Sequence, residues 1–200
     1  MSRPAGRASF ILATTNPGKL AEYRELFADA PIAFEALDAA TAPEETGQSF
    51  VENALIKARH ASASRGRPAI ADDSGLCVAA LGGAPGVRSA RYAGPDASDR
   101  DNLEQLLAEL EGVEPDRRDA FFHCVIVALS RPDDPAPVIA SGRWNGRIAI
   151  EPSGAGGFGY DPVFYDPKLG MTAAELSAET KNAVSHRARA RVELRRLLGF

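Results

Sequence analysis

Apolar positions along the chain fall into short runs and longer helical stripes, separated by polar turns. Residues 9–13 (SFILA) form a short, mostly apolar run that predicts a buried strand. It stops at Thr14-Thr15-Asn16-Pro17-Gly18-Lys19, where Asn16 can cap a helix and Pro17 can take its first position. Leu20, Tyr23 and Phe27 then share one helical face. A second strand is predicted over residues 32–37, followed by a polar loop to Gly47. Ser49 and Glu52 make a capping box for a helix that carries Phe50, Ala54, Ala58 and Ala61 on one stripe. Residues 68–71 lead into a third short strand, expected to end at Asp72-Asp73-Ser74-Gly75. Ser98 caps a further helix with Leu103, Leu106, Leu107 and Leu110 inside and Gly112 at its end. Residues 121–129 and 138–150 are extended and joined by a Pro/Asp-rich turn, which predicts a hairpin. A glycine-rich loop over 154–159 follows, and a last helix is expected from about Ser185 to Gly199. Strands alternating with helices, with a hairpin inserted, predict an α/β fold with a mixed sheet.

The chain has 200 residues, a hydrophobic fraction of 44% and a formal net charge of -4. That length suits one domain, or one domain with a lobe folded back on it. The charge argues against a general nucleic-acid binder, which presents a basic face. Cys77 and Cys124 are far apart, form no CxxC pattern and sit in apolar runs, so both are expected to be buried, reduced thiols. Residues 1–8 carry two arginines but no apolar stretch follows, and no run approaches the ~20 residues of a membrane span. The cytoplasm is the expected compartment. Residues 1–8 are expected to be a disordered extension, and 9–200 one domain.

Four constellations could carry chemistry. Thr14 to Lys19 offer hydroxyls, an amide and a lysine where a helix begins, and helix N-termini bind phosphate. The GxxxxGK[ST] pattern is absent, so the stretch is not a P-loop, and it equally suits a plain capped helix. Glu44, Glu45, Asp72 and Asp73 are carboxylates without histidine or cysteine company, which suits Mg²⁺ or Mn²⁺, although Asp72 to Gly75 also reads as a polar turn. None of His60, His123 and His186 forms an HxxxH pair, which disfavours a zinc site. Gly156-Gly157-Phe158-Gly159-Tyr160-Asp161-Pro162 permits close backbone approach around an aromatic that could stack on a base, or that could return to the core from a turn. Lys181, Asn182, Ser185, His186 and Arg187 bring cations to a helix start, where the dipole opposes them. An anion or a purine edge would explain that placement; so would a solvated basic face.

The order and company of these segments are more specific than any one of them. LATTNPGK, EETGQSFVENALIKARHA, AIADDSGLCVAALGGAPGVRSARYAG, FHC, GGFGYDPVF, TAAEL and KNAVSHRA together resemble the inosine triphosphate pyrophosphatase family, nearly end to end from Phe10 to Leu198. The resemblance implies an elongated α/β fold, with a mixed central sheet and flanking helices, two lobes around a substrate cleft, and a homodimer. It implies Mg²⁺-dependent hydrolysis of deaminated purine triphosphates (ITP, dITP, XTP) to the monophosphate and pyrophosphate. Thr14, Thr15, Asn16, Pro17, Gly18 and Lys19 would hold phosphates, and Glu44 and Asp73 the metal. Asp73 would also be the proton acceptor, with Ser74 on substrate; Phe158, Gly159, Tyr160, Asp161, Lys181, His186 and Arg187 would bind the nucleotide, chiefly its base end. Thr15 stands where relatives commonly have glycine. Two other functions fit the same residues less well: a Maf-like pyrophosphatase for pyrimidine or modified nucleotides, and a nucleotide sensor without turnover, which leaves the paired aspartates without a purpose.

Overall fold

The computed structural model describes residues 8–14, 20, 23–25, 27–37 and 43–200. Residues 1–7 of the expected extension, and Thr15 to Lys19 of the expected phosphate turn, lie outside the described residues. The strands are β1 (Ala8–Leu12), β2 (Ile32–Ala36), β3 (Ala69–Val78), β4 (Asp119–Leu129), β5 (Val138–Ile148), β6 (Phe164–Asp166) and β7 (Met171–Thr172). The helices are α1 (Phe50–Arg65), α2 (Asp99–Glu109), α3 (Ala178–Val184) and α4 (His186–Leu197). The strands form one seven-stranded sheet in the order β2-β1-β3-β4-β5-β6-β7. It is mixed, as expected: β1 runs parallel to β2 and β3, while β5, β6 and β7 are antiparallel neighbours. Ala8 opens β1, one residue earlier than the apolar run suggested. Among the described residues, no helix is long and apolar enough to cross a membrane.

Contacts divide the chain into two compact units: residues 1–73, 125–141 and 191–200, and residues 74–124 and 142–190. In the first unit, the stripe Ala54, Ala58 and Ala61 on α1 joins Ile11, Ala69, Ala71 and Val127 in one core. Small side chains on that stripe let the helix lie close to the sheet backbone. Tyr23, Phe27 and Phe34 form a second aromatic patch, with ring centroids 5.5 Å and 5.4 Å from Phe34. Ser49 caps α1 and accepts from the Glu52 N–H, while the Glu52 carboxylate reaches back to the Gln48 N–H at 2.8 Å. The expected Ser49 cap thus forms, but the box does not close on Ser49: the return bond goes to the Gln48 N–H instead. Gly47 stands where a Cβ would lie 2.6 Å from Asn53 Oδ1, so only glycine lets the loop pass this helix start.

The second unit packs Leu103 and Leu106 of α2 and its C-cap Leu110 against Leu76, Phe122, Trp144, Ile148 and Phe164. Ser98 and Asp101 make its capping box. At the other end, the buried Arg118 donates to the carbonyls of Leu110 and Val113, at 2.8 and 2.9 Å, supplying a cation to the helix C-terminus. β5 alternates cleanly, with residues 140, 142, 144, 146 and 148 buried and those between them exposed. It ends at Ile148 rather than at Ile150.

One expectation needs correction. β3 does not stop at Asp72-Asp73-Ser74-Gly75 but runs through them to Val78. Leu76, Cys77 and Val78 are themselves buried and continue the strand, so the four polar and glycine residues are an interior stretch and not a turn. A strand buried on both faces can place carboxylates only where they find partners.

The indole N–H of the buried Trp144 donates to Asp166 Oδ2 at 2.7 Å, and the other oxygen of Asp166 takes the Lys168 N–H at 2.8 Å. Asp166→Ala should therefore lower stability by about 1–3 kcal/mol in urea unfolding, because the indole donor is left buried without an acceptor. An unchanged midpoint and slope would show that this bond adds nothing.

Candidate active site

In the first unit, α1 and β3 bring ionisable groups together. Lys57 Nζ donates to Asp73 Oδ1 at 2.9 Å and to Glu45 Oε1 at 3.1 Å. Asn53, four residues before Lys57 and fully buried, gives its amide N–H to Asp73 Oδ2 at 3.3 Å and accepts the Gly47 N–H at 2.8 Å. Burial pushes the Asp73 carboxyl above the usual carboxylate range, and Lys57 offsets that only in part. Burial also disfavours the Lys57 ammonium, but the carboxylates of Asp73, Glu45 and Asp72 outweigh it and hold its pKa up. Lys57 thus sits among three carboxylates.

In the second unit, the loop between β5 and β6 and the starts of α2 and α4 form a recess of about 120 Å³. Phe158 is 60% exposed, with Lys181 Nζ 4.9 Å and the Arg187 guanidinium carbon 5.2 Å from its ring centroid. The buried Asp161 accepts the Phe158 N–H at 2.8 Å and pairs with Lys181. The Tyr160 hydroxyl donates to the Ser89 carbonyl at 2.8 Å, and burial raises its pKa. His186 is buried and stacks on Phe122, centroids 4.8 Å apart and planes 12° apart. Arg187 donates from Nη2 to Ser74 Oγ at 3.0 Å, while its buried Nε–H has no partner among the described residues. Both residues ride on the first turn of α4, which Ser185 caps by accepting the Ala188 N–H. Gly142 lets β5 lie directly against that turn; a Cβ there would run into the His186 carbonyl.

The structure therefore gathers Ser74, Phe158, Gly159, Tyr160, Asp161, His186 and Arg187 on one recess, with Lys181 bound to Asp161. It sets Asp73 with Glu45 and Lys57, while Glu44 is exposed beside them in sequence. Thr14 follows β1, its N–H on the Leu12 carbonyl at 2.8 Å; Thr15, Asn16, Pro17, Gly18 and Lys19 lie outside the described residues. Sequence reasoning missed Asn53 and Lys57. Their spacing of four places them on one helical face beside the alanine stripe, which was a readable signal. It also missed Asp99, which accepts the Gly159 N–H at 2.8 Å.

Among the described residues, no three His, Cys, Asp or Glu side chains converge as a metal cage. That is no obstacle to Mg²⁺, which keeps waters and commonly uses one or two carboxylates with substrate phosphates. Carboxylates gathered around Lys57, with Asp72 and Asp73 both buried, are oxygen donors of the right kind.

Comparison with known proteins gives these groups a context. A dITP/XTP pyrophosphatase from Yersinia pseudotuberculosis is 57% identical over 182 residues, covering 90% of this chain and 92% of the relative. One from Halorhodospira halophila is 58% identical over 183 residues, with the same coverage. A solved HAM1 protein from Coxiella burnetii superposes with a TM-score of 0.92 at 50% identity, over 96% of this chain and 98% of its own. The Ham1 protein of Staphylococcus aureus gives a TM-score of 0.87 at 41% identity, over 95% and 97%. The sequence model of the Ham1 family matches residues 10–197, and with acidic group, recess and sheet all in place, this chain belongs to the Ham1 family.

Proposed function

We propose that this chain hydrolyses the deaminated purine triphosphates dITP, ITP and XTP to the monophosphate and pyrophosphate, and so removes them from the nucleotide pool. Its relatives carry the name dITP/XTP pyrophosphatase. The observation that carries the reading is the order of side chains on β3. Asp73 belongs to the acidic group, and the next residue, Ser74, is bonded to Arg187 in the recess. Residues 9–200 act as one domain of the family, in the cytoplasm and as a homodimer.

Mg²⁺, held by Glu44 and Asp73, would offset triphosphate charge and polarise the reacting phosphoryl group. Thr14, Thr15, Asn16, Pro17, Gly18 and Lys19 hold phosphate oxygens. Asp73 takes a proton from water as its oxygen bonds to the α-phosphorus, and the bond to the departing pyrophosphate breaks in line. Lys57 and Asn53 fix the orientation of that carboxylate. At the base end, Phe158 offers a stacking face, and Arg187 and His186 offer donors to the 6-oxo group. Adenine presents an amino group there and sets donor against donor, which leaves buried groups unpaired.

A panel of triphosphates with Mg²⁺, read by pyrophosphate release, should favour ITP, dITP and XTP over ATP and pyrimidine nucleotides, and EDTA should abolish turnover. Full activity in a chelated, metal-free sample, or preference for a pyrimidine, would overturn the reading. Asp73→Asn should lower turnover by roughly 10² or more, with nucleotide affinity kept within about tenfold. A variant that hydrolyses dITP near the parent rate would remove Asp73 as the base. Arg187→Ala should narrow the ITP-to-ATP ratio of kcat/KM, chiefly by reducing the ITP value by about 1–3 kcal/mol of transition-state binding. If both substrates suffer equally, Arg187 acts on phosphate and not on the base.

A further inference from the structure

The part of the glycine-rich loop that carries Phe158 has little packed against it. On one side lies the recess described above. On the other lies a larger one, about 480 Å³, which includes Leu103, Leu107, Pro152 and Pro162 in its walls. Phe158 and Gly159 line both, and so does Asp99. A segment with open space on either side is not fixed by van der Waals contact alone. Lys181 and Arg187 touch the ring. Its backbone is tied by the Asp161 N–H on the Phe158 carbonyl at 3.2 Å and by two consecutive N–H groups: Phe158 N–H to Asp161, and Gly159 N–H to Asp99 Oδ2, both at 2.8 Å. The bonds between Phe158 and Asp161 are local, three residues along the loop. The bond to Asp99 spans sixty residues and ties the loop to the first residue of α2.

Asp99 is well made for this task. The capping box of α2 is complete without it, since Ser98 and Asp101 satisfy each other. Its carboxylate is therefore not needed as the cap and is turned to a distant backbone donor. It stands in the first turn of α2.

We infer that Asp99 is a positioning residue for nucleotide recognition: by holding the Gly159 N–H, it sets the Phe158 ring where the base stacks. This rests on the reading of Phe158 as the base platform. Asp99 need not touch substrate. It removes the freedom that the ring would otherwise lose on binding, so its contribution falls on affinity for the base and not on the chemical step.

The test compares Asp99→Ala, Asp99→Asn, Phe158→Ala and the double variant Asp99→Ala/Phe158→Ala. KM and kcat for dITP are measured, with the inhibition constant of inorganic tripolyphosphate, a competitor that has no base. Asp99→Ala should raise KM for dITP about tenfold and leave kcat and the tripolyphosphate constant within about twofold. Asp99→Asn keeps an oxygen acceptor and should stay near the parent. Phe158→Ala should raise KM at least as far, and the double variant should be no worse than Phe158→Ala alone, because Asp99 acts through that ring. Should Asp99→Ala fold poorly, Asp99→Ser replaces it: serine suits a first helical turn, and its hydroxyl is too short to make the bond. If Phe158→Ala raises KM while the Asp99 variants do not, the positioning role is overturned and the platform stands. If Phe158→Ala has no effect, the platform itself is wrong and the inference falls with it. Equal losses for dITP and tripolyphosphate, or additive losses in the double variant, would also overturn it.

Discussion

The lysine of α1 that must serve several carboxylates at once constrains much of what surrounds it. Asp73 sits on a strand buried on both faces, where an ionised group is tolerated only with partners. Lys57 supplies the charge and Asn53 a hydrogen bond, and both come from one face of a single helix. That fixes the rotation of α1 about its axis. The alanine stripe then faces the core, and the loop before the helix must pass so close to Asn53 that only glycine serves at position 47. Charge, helix register and loop path are one solution to one problem. Carboxylate oxygens gathered at one place are what make the group receptive to a cation.

The second unit uses carboxylates differently. Asp161 and Asp99 are aimed at backbone N–H groups of the loop, and Asp161 also restrains the Lys181 ammonium. Here the acids order flexible chain in place of gathering positive charge for chemistry. The aromatic side chain carried by the loop remains largely exposed while its backbone is tied down. An exposed ring on a restrained backbone loses little freedom when a ligand covers it.

Much of this was legible from the residues themselves. The strand–helix alternation, the hairpin, the Ser49 and Ser98 caps and the leucine face of α2 all follow from local pattern, because each depends on neighbours within one or two turns. What failed was the end of β3. The run Asp-Asp-Ser-Gly reads as a turn wherever water is available, and in the interior Asp73 and Ser74 find partners on α1 and α4. The site residues stood out by residue type and spacing, and their roles came through the family resemblance. Those that were missed act at long range: Lys57 is sixteen residues from Asp73, and Asp99 sixty from Gly159. The four-residue spacing of Asn53 and Lys57 marks their common face, but no periodicity names the partner that the fold brings to it.

The chain contains a single tryptophan, and its surroundings make it more than a core residue. Trp144 stacks on Phe122 with centroids 6.3 Å apart, and Phe122 in turn stacks on His186 in the wall of the recess. Its indole N–H is fixed by Asp166, so neither rotation nor hydration broadens its environment. All indole emission from this protein therefore originates at one buried position, two rings away from the proposed base site. The molecule carries its own optical gauge of that wall, with no label attached and no second fluorophore of its kind to obscure the signal.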